Sequence, residues 1–109
     1  MYLVALDPTV GREIQKTRPA VVVQADLFNR AGETTIVAPV SSNVRPPLHG
    51  TRILVPAREG GLAVDSVVLT RQLRTVDRAR LIRRLGAVRR DTMRRVDRGL
   101  AITLGLVEL

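Results

Sequence analysis

The apolar residues of this chain change their period once, near Asp77. Before it come short β-branched runs broken by proline, glycine and polar clusters. After it the spacing becomes helical. A chain built in that order, several short strands and then helix, folds as α+β. The expected architecture is mainly β, a small curled sheet or barrel with a terminal amphipathic helix packed on it. The strands are read at 2–6, 20–23, 34–40, 51–55, 66–69 and 72–76. The Asp7-Pro8 dipeptide ends the first as a turn. Pro19 pushes Arg18 toward extended geometry, and Ala20-Val21-Val22-Val23 reads as a strand buried on both faces. Pro39 argues that the third strand is an edge or carries a bulge near its end. Residues 7–17, 26–32 and 41–50 read as loop or turn, as does Gly60-Gly61.

After the change of period, residues 78–85 read as one or two helical turns. Asp77 serves as N-cap and Gly86 as the stop. A longer helix is expected over 89–107, where Met93, Val96, Leu100, Leu104 and Val107 recur at steps of three and four on one face. Asp91 lies in its first turn, where the helix dipole favours an anion. Gly99 inside it costs about 1 kcal/mol relative to alanine.

With 109 residues the chain makes one domain, 1–109, with room for one small core. There is no cysteine, which excludes disulfides, thiolate metal sites and a cysteine nucleophile. The single histidine, His49, excludes a histidine-built metal site. No apolar run approaches the roughly 18 residues of a membrane span, and no signal segment precedes the first strand. A small cytoplasmic domain is expected.

Charge is distributed unevenly. Eighteen basic against ten acidic residues give a net charge of +8, and every basic residue but Lys16 is arginine. Residues 70–98 hold eleven arginines and three aspartates (11 − 3 = +8), while the rest of the chain balances at seven of each sign. A GC-rich genome inflates arginine without purpose, but such a bias spreads along a chain. Clustering favours a nucleic-acid or acidic protein partner. Tyr2 and Phe28 are the only aromatics, so base-stacking platforms are scarce and RNA or DNA contact would rest on arginine, backbone and hydroxyls.

Several segments occur together. Leu6-Asp7-Pro8-Thr9-Val10-Gly11-Arg12-Glu13 is followed by Thr17-Arg18-Pro19-Ala20-Val21-Val22-Val23. Ile36-Val37-Ala38-Pro39-Val40-Ser41-Ser42 comes next, then Asp65-Ser66-Val67-Val68, Gln72-Leu73-Arg74-Thr75-Val76-Asp77 and Leu85-Gly86. In this order and spacing they resemble the MazF/PemK (Kid) toxins of toxin–antitoxin systems over nearly the whole chain. The resemblance implies a Src-homology-3-like barrel with a C-terminal helix. It also implies a homodimer that cleaves single-stranded RNA at short sequences without metal or other cofactor, and a cognate antitoxin that neutralises it.

Metal-free RNA cleavage uses the ribose 2′-OH. It attacks the adjacent phosphorus, expels the 5′-oxygen and leaves a 2′,3′-cyclic phosphate. The protein moves protons and stabilises charge on the phosphoryl oxygens, and arginine's planar, permanently charged fork suits the latter. By resemblance, Arg18 is the family's key arginine and Ser41 the hydroxyl that holds the phosphate or the attacking 2′-OH. Glu13 acts as base or orients Arg18; read alone, it would simply pair with Lys16 or Arg12. Arg12, Lys16, Ser42, Asn43, Arg71 and Gln72 form the RNA-contacting rim. Histidine is the usual acid–base at neutral pH, yet the family has none at the place of His49, which is read as a bystander.

The chain departs from the family in three places. It starts at Met1-Tyr2, without the usual Arg-Gly-Asp or Arg-Gly-Glu lead, so the expectation is either a shortened first strand or a start assigned too late. Arg71 stands where many relatives carry an acid, and Arg12 where some carry a small residue or histidine. Both add positive charge to the rim. The outward arginines of the 89–107 helix, Arg89, Arg90, Arg94, Arg95 and Arg98, are either a solvated face or a dock for an acidic antitoxin tail. The alternative function is that of CcdB, a structural relative of this family that poisons DNA gyrase by protein contact and cuts nothing.

Overall fold

The computed structural model describes residues 1–7, 10–13 and 16–107. Seven strands run β1 Tyr2–Ala5, β2 Thr17–Val22, β3 Thr34–Ser41, β4 Arg52–Val55, β5 Ser66–Leu69, β6 Arg74–Asp77 and β7 Leu81–Arg84. The helices are α1, Asp26–Ala31, and α2, Arg90–Thr103. The sheet is antiparallel in the order β4-β5-β3-β2-β1-β7, with β6 also on β3. It curls without closing, since β4 and β7 end it and do not pair with each other.

Curling follows from β3, the longest strand at eight residues. Its first half, Thr34–Val37, pairs with β6, its last two residues pair with β5, and its middle pairs with β2. β3 is therefore central, not the edge that Pro39 suggested. The proline is tolerated because it falls between the two partners on that side: β6 stops at Val37 and β5 starts at Val40.

A curled sheet has two interiors, and alternation along the strands fills both. On β2, Val21 joins one cluster with Ala38, Val40, Ile53, Val55, Val68 and Val96, while Ala20 joins another with Val4, Leu6, Val37 and Val76. That is the strand buried on both faces expected from Ala20-Val21-Val22-Val23. Met1 belongs to the first cluster. Its amino group donates to the Gly86 carbonyl at 3.1 Å. Burial, and secondarily the charge of Arg84, holds that amine below its ordinary pKa.

Three expectations are corrected. Residues 78–85 are not helical turns: a single 3-10 turn covers Arg78–Arg80, and Leu81–Arg84 is strand β7 on β1. The Asp77 cap does form, its Oδ1 accepting the Ala79 N–H at 2.8 Å. The turn expected at 26–32 contains helix α1, which buries no residue. The terminal helix ends at Thr103, short of Val107. Met93, Val96 and Leu100 face the core, whereas Leu104 caps the helix and is 58% exposed.

Gly99 explains how α2 sits so close. A Cβ there would lie 2.7 Å from the Gly50 carbonyl oxygen and 2.9 Å from Ile53 Cδ1. The glycine that weakens the helix locally is what lets it approach the sheet.

Candidate functional site

The loop joining β1 to β2 is tied at its neck. Leu6 N–H donates to the Lys16 carbonyl at 3.0 Å, and Lys16 N–H to Asp7 Oδ1 at 2.9 Å. Lys16 takes φ 68°, which turns the chain into β2. Two distant arginines brace this neck. Arg74 donates to the Leu6 carbonyl, and Arg80 to those of Ala5 (3.1 Å) and Asp7. Three consecutive carbonyls are thus held by charged donors, which make stronger bonds than neutral ones. Within the loop, Glu13 Oε1 accepts Val10 N–H at 3.1 Å, so the carboxylate closes its own turn. Pro8, Thr9, Ile14 and Gln15, and with them half of the Asp7-Pro8 turn, lie outside the described residues.

Arg18 is the second residue of β2, half-buried, opposite Val4 of β1. Ser41 ends β3, opposite Val67 of β5. The β2–β3 register sets Ala20 against Pro39. Arg18 and Ser41 each lie two residues beyond that pair, where the ladder between the two strands has ended. Ser41 Oγ accepts the Asn43 N–H at 3.1 Å, which leaves its own proton to donate elsewhere. Asn43 Oδ1 accepts Arg45 N–H at 3.3 Å. Arg52 fastens the remaining loop, donating to the carbonyls of Asn43, Arg45 and Pro47 at 3.1, 2.9 and 3.1 Å. Ser42 is exposed beside it.

Three open grooves connect around Arg71. The first joins Arg12 and Glu13 to Arg71, Gln72 and Arg74. Arg71 and Gln72 also line the second, with His49, Thr51 and Arg52. Arg71, His49 and Thr51 line the third, about 570 Å³, which reaches Ile102 and Thr103 at the end of α2. The structure therefore brings Arg12, Glu13, Arg71 and Gln72 into one trough. Arg18, Ser41, Lys16, Ser42 and Asn43 do not line it. They belong to the two loop bases and strand ends described above.

Sequence reasoning missed three things. His49, set aside as a bystander, lines the trough. Arg74, Arg80 and Arg52 serve as carbonyl clamps, with partners that no local pattern reveals. Thr51, Thr70 and Thr103 form a node beneath the trough: Thr70 Oγ1 donates to the Thr51 carbonyl at 2.8 Å and lies 3.2 Å from Thr103 Oγ1. Among the described residues no three histidine or acidic side chains gather as metal ligands. No helix there is long and apolar enough to cross a membrane.

A family model described as "PemK-like, MazF-like toxin of type II toxin-antitoxin system" matches residues 1–104. Endoribonuclease EndoA of Bacillus subtilis (strain 168) is 34% identical over 108 residues, 99% of this chain and 93% of the relative. The toxin MazF-mt6 of Mycobacterium tuberculosis superposes with TM-score 0.81 at 20% identity, covering 98% of this chain and 97% of its own, a likeness of fold. In the crystal structure of MazE-MazF from Deinococcus radiodurans, the matched chain is 30% identical with TM-score 0.69, over 95% of this chain and 92% of that one.

Proposed function

The chain belongs to the PemK-like, MazF-like toxin family of type II toxin–antitoxin systems, and from that premise we propose that it is a metal-independent endoribonuclease that cuts single-stranded mRNA in the cytoplasm and so stops growth. It acts as one domain over 1–109, as a homodimer, with a cognate antitoxin as its neutralising partner. The observation that carries this reading is the 34% identity to an endoribonuclease over 99% of the chain; Arg18, near the start of β2, and Ser41, at the end of β3, are the residues assigned to the chemistry. An arginine and a hydroxyl with a proton to give, on neighbouring strands, suit a phosphodiester whose charge grows in the transition state.

In the proposed reaction the 2′-OH attacks phosphorus as its proton leaves. The bond to the 5′-oxygen breaks, that oxygen takes up a proton, and a 2′,3′-cyclic phosphate remains. Arg18 donates to the non-bridging oxygens and Ser41 Oγ–H holds the phosphate or the attacking hydroxyl. Glu13 takes the proton through Oε2 or orients Arg18. Arg12, Lys16, Ser42, Asn43, Arg71 and Gln72 contact the strand on either side. EndoA is an endoribonuclease by name and the solved relatives are MazF toxins, which weighs against a toxin that only binds a protein target. The MazE-MazF assembly of D. radiodurans supports the antitoxin partner.

The test is incubation of the purified chain with long single-stranded RNA in excess EDTA, followed by mapping of the ends. Cuts at one short recurring sequence with cyclic phosphate ends are expected. Arg18→Ala should lose at least about 10²–10³-fold in rate with its melting temperature unchanged. RNA left intact by folded wild type refutes the reading, and full activity of Arg18→Ala refutes the assignment of that residue.

A further inference from the structure

His49 and Arg71 line the same two grooves of the trough. Thr51 N–H donates to His49 Nδ1 at 3.3 Å, and Thr51 Oγ1 lies 2.9 Å from the same atom. A backbone amide only donates, so Nδ1 is the acceptor and the ring proton sits on Nε2. Thr51 in turn is gripped through its carbonyl by Thr70, whose N–H (3.2 Å) and Oγ1 (2.8 Å) both reach it. Arg71 follows Thr70 directly. Behind them Gly50 and Gly99 let the loop press on α2, since a Cβ on either would crowd its neighbour. The backbone that carries both residues is therefore held, and the loop leading to His49 is stapled by Arg52.

Among the described residues Arg71 has no hydrogen-bond partner, and it is exposed. Arg52 spends its guanidinium on three carbonyls. In the part of the trough lined by His49, Thr51 and Arg71, the charged and imidazole groups left to face it, Arg71 and His49 Nε2–H, are donors only. Two donors that line the same grooves suit a partner with adjacent acceptors.

We infer that His49 and Arg71 form a base-reading subsite that selects guanine, through its O6 and N7 edge, at one position of the bound RNA. This rests on the reading of the chain as an RNA-binding enzyme. Single-stranded bases expose that edge, and guanine alone among the four offers two neighbouring acceptors there. The subsite acts in recognition, separate from the Arg18 and Ser41 chemistry.

The experiment separates binding from cutting. A random pool of 2′-O-methyl oligoribonucleotides, which cannot supply an attacking 2′-OH, is selected on immobilised wild type, His49→Ala and Arg71→Gln, and then sequenced. Melting curves confirm that the variants fold. The expected result is a motif with one guanine position whose enrichment falls about tenfold in either variant, the other positions holding. Equal guanine enrichment in all three proteins, or none in wild type, overturns the inference. Wild type that selects guanine but cuts no RNA in EDTA keeps the subsite and removes the ribonuclease. Wild type that cuts while the motif is the same in all three removes the subsite alone.

Discussion

Arg80 does at the residue scale what a composition count hides. It stands in the basic C-terminal stretch, yet its guanidinium spans the carbonyls of Ala5 and Asp7, more than seventy residues earlier in the chain. Arg74 takes the carbonyl between them. The neck they brace carries Glu13 and leads into Arg18, so loss of a brace should be felt in both stability and rate. Hydrogen bonds to charged groups contribute about 1.5–3 kcal/mol, so Arg80→Met should lower the unfolding free energy by about that much. It should also slow RNA cleavage at saturating substrate. Arg80→Lys should recover only part, because a single ammonium lacks the fork that reaches two carbonyls. Denaturant unfolding beside single-turnover cleavage checks both. An Arg80→Met protein with the wild-type midpoint would show that the brace contributes nothing.

At the scale of elements, Gly99 sets local propensity against packing. Propensity alone predicts that Gly99→Ala strengthens α2 by about 1 kcal/mol. The contacts predict the opposite, since the new methyl group would sit 2.7 Å from the Gly50 oxygen and 3.1 Å from Thr70 Cγ2. Overpacking of this kind costs about 1–3 kcal/mol, so the variant should melt several degrees lower, at roughly 4–8 °C per kcal/mol. A calorimetric scan decides by sign. The same contest explains what was legible in the sequence. Strands with β-branched runs, such as Ala20–Val23 and Thr34–Val40, and the face of Met93, Val96 and Leu100 were readable, because their periods are their burial patterns. Residues 81–84 were not: Leu-Ile-Arg-Arg has helical character, but the open edge of β1 pairs with it, and tertiary pairing overrode propensity. α1 is six residues with none buried, too short for any period. Of the candidate site, the residue types were legible through the family motifs. The clamps and the threonine node were not, because they join carbonyls and hydroxyls across distant segments.

For the whole molecule, the excess of +8 divides into arginines with structural work and arginines without it. Arg74, Arg78, Arg80 and Arg95 each donate to a backbone carbonyl. Arg94 and Arg98 lie one helical turn apart on α2 and are exposed, so they form a single basic stripe. If an acidic antitoxin segment docks on this helix, that stripe is where its charge acts. Reversing both, Arg94→Glu with Arg98→Glu, lowers the net charge from +8 to +4 (8 − 4) and removes no bond that holds the fold. Antitoxin affinity should fall and its dependence on salt should flatten, because fewer exposed charges remain to be screened at a Debye length of about 8–10 Å. Charge steering acts mainly on association, so the loss should appear chiefly in the on-rate. Kinetic binding measurements over a salt series, on wild type and the double variant, test this directly. Equal on-rates and equal salt slopes would place the antitoxin elsewhere and leave the stripe as a solvated helix face.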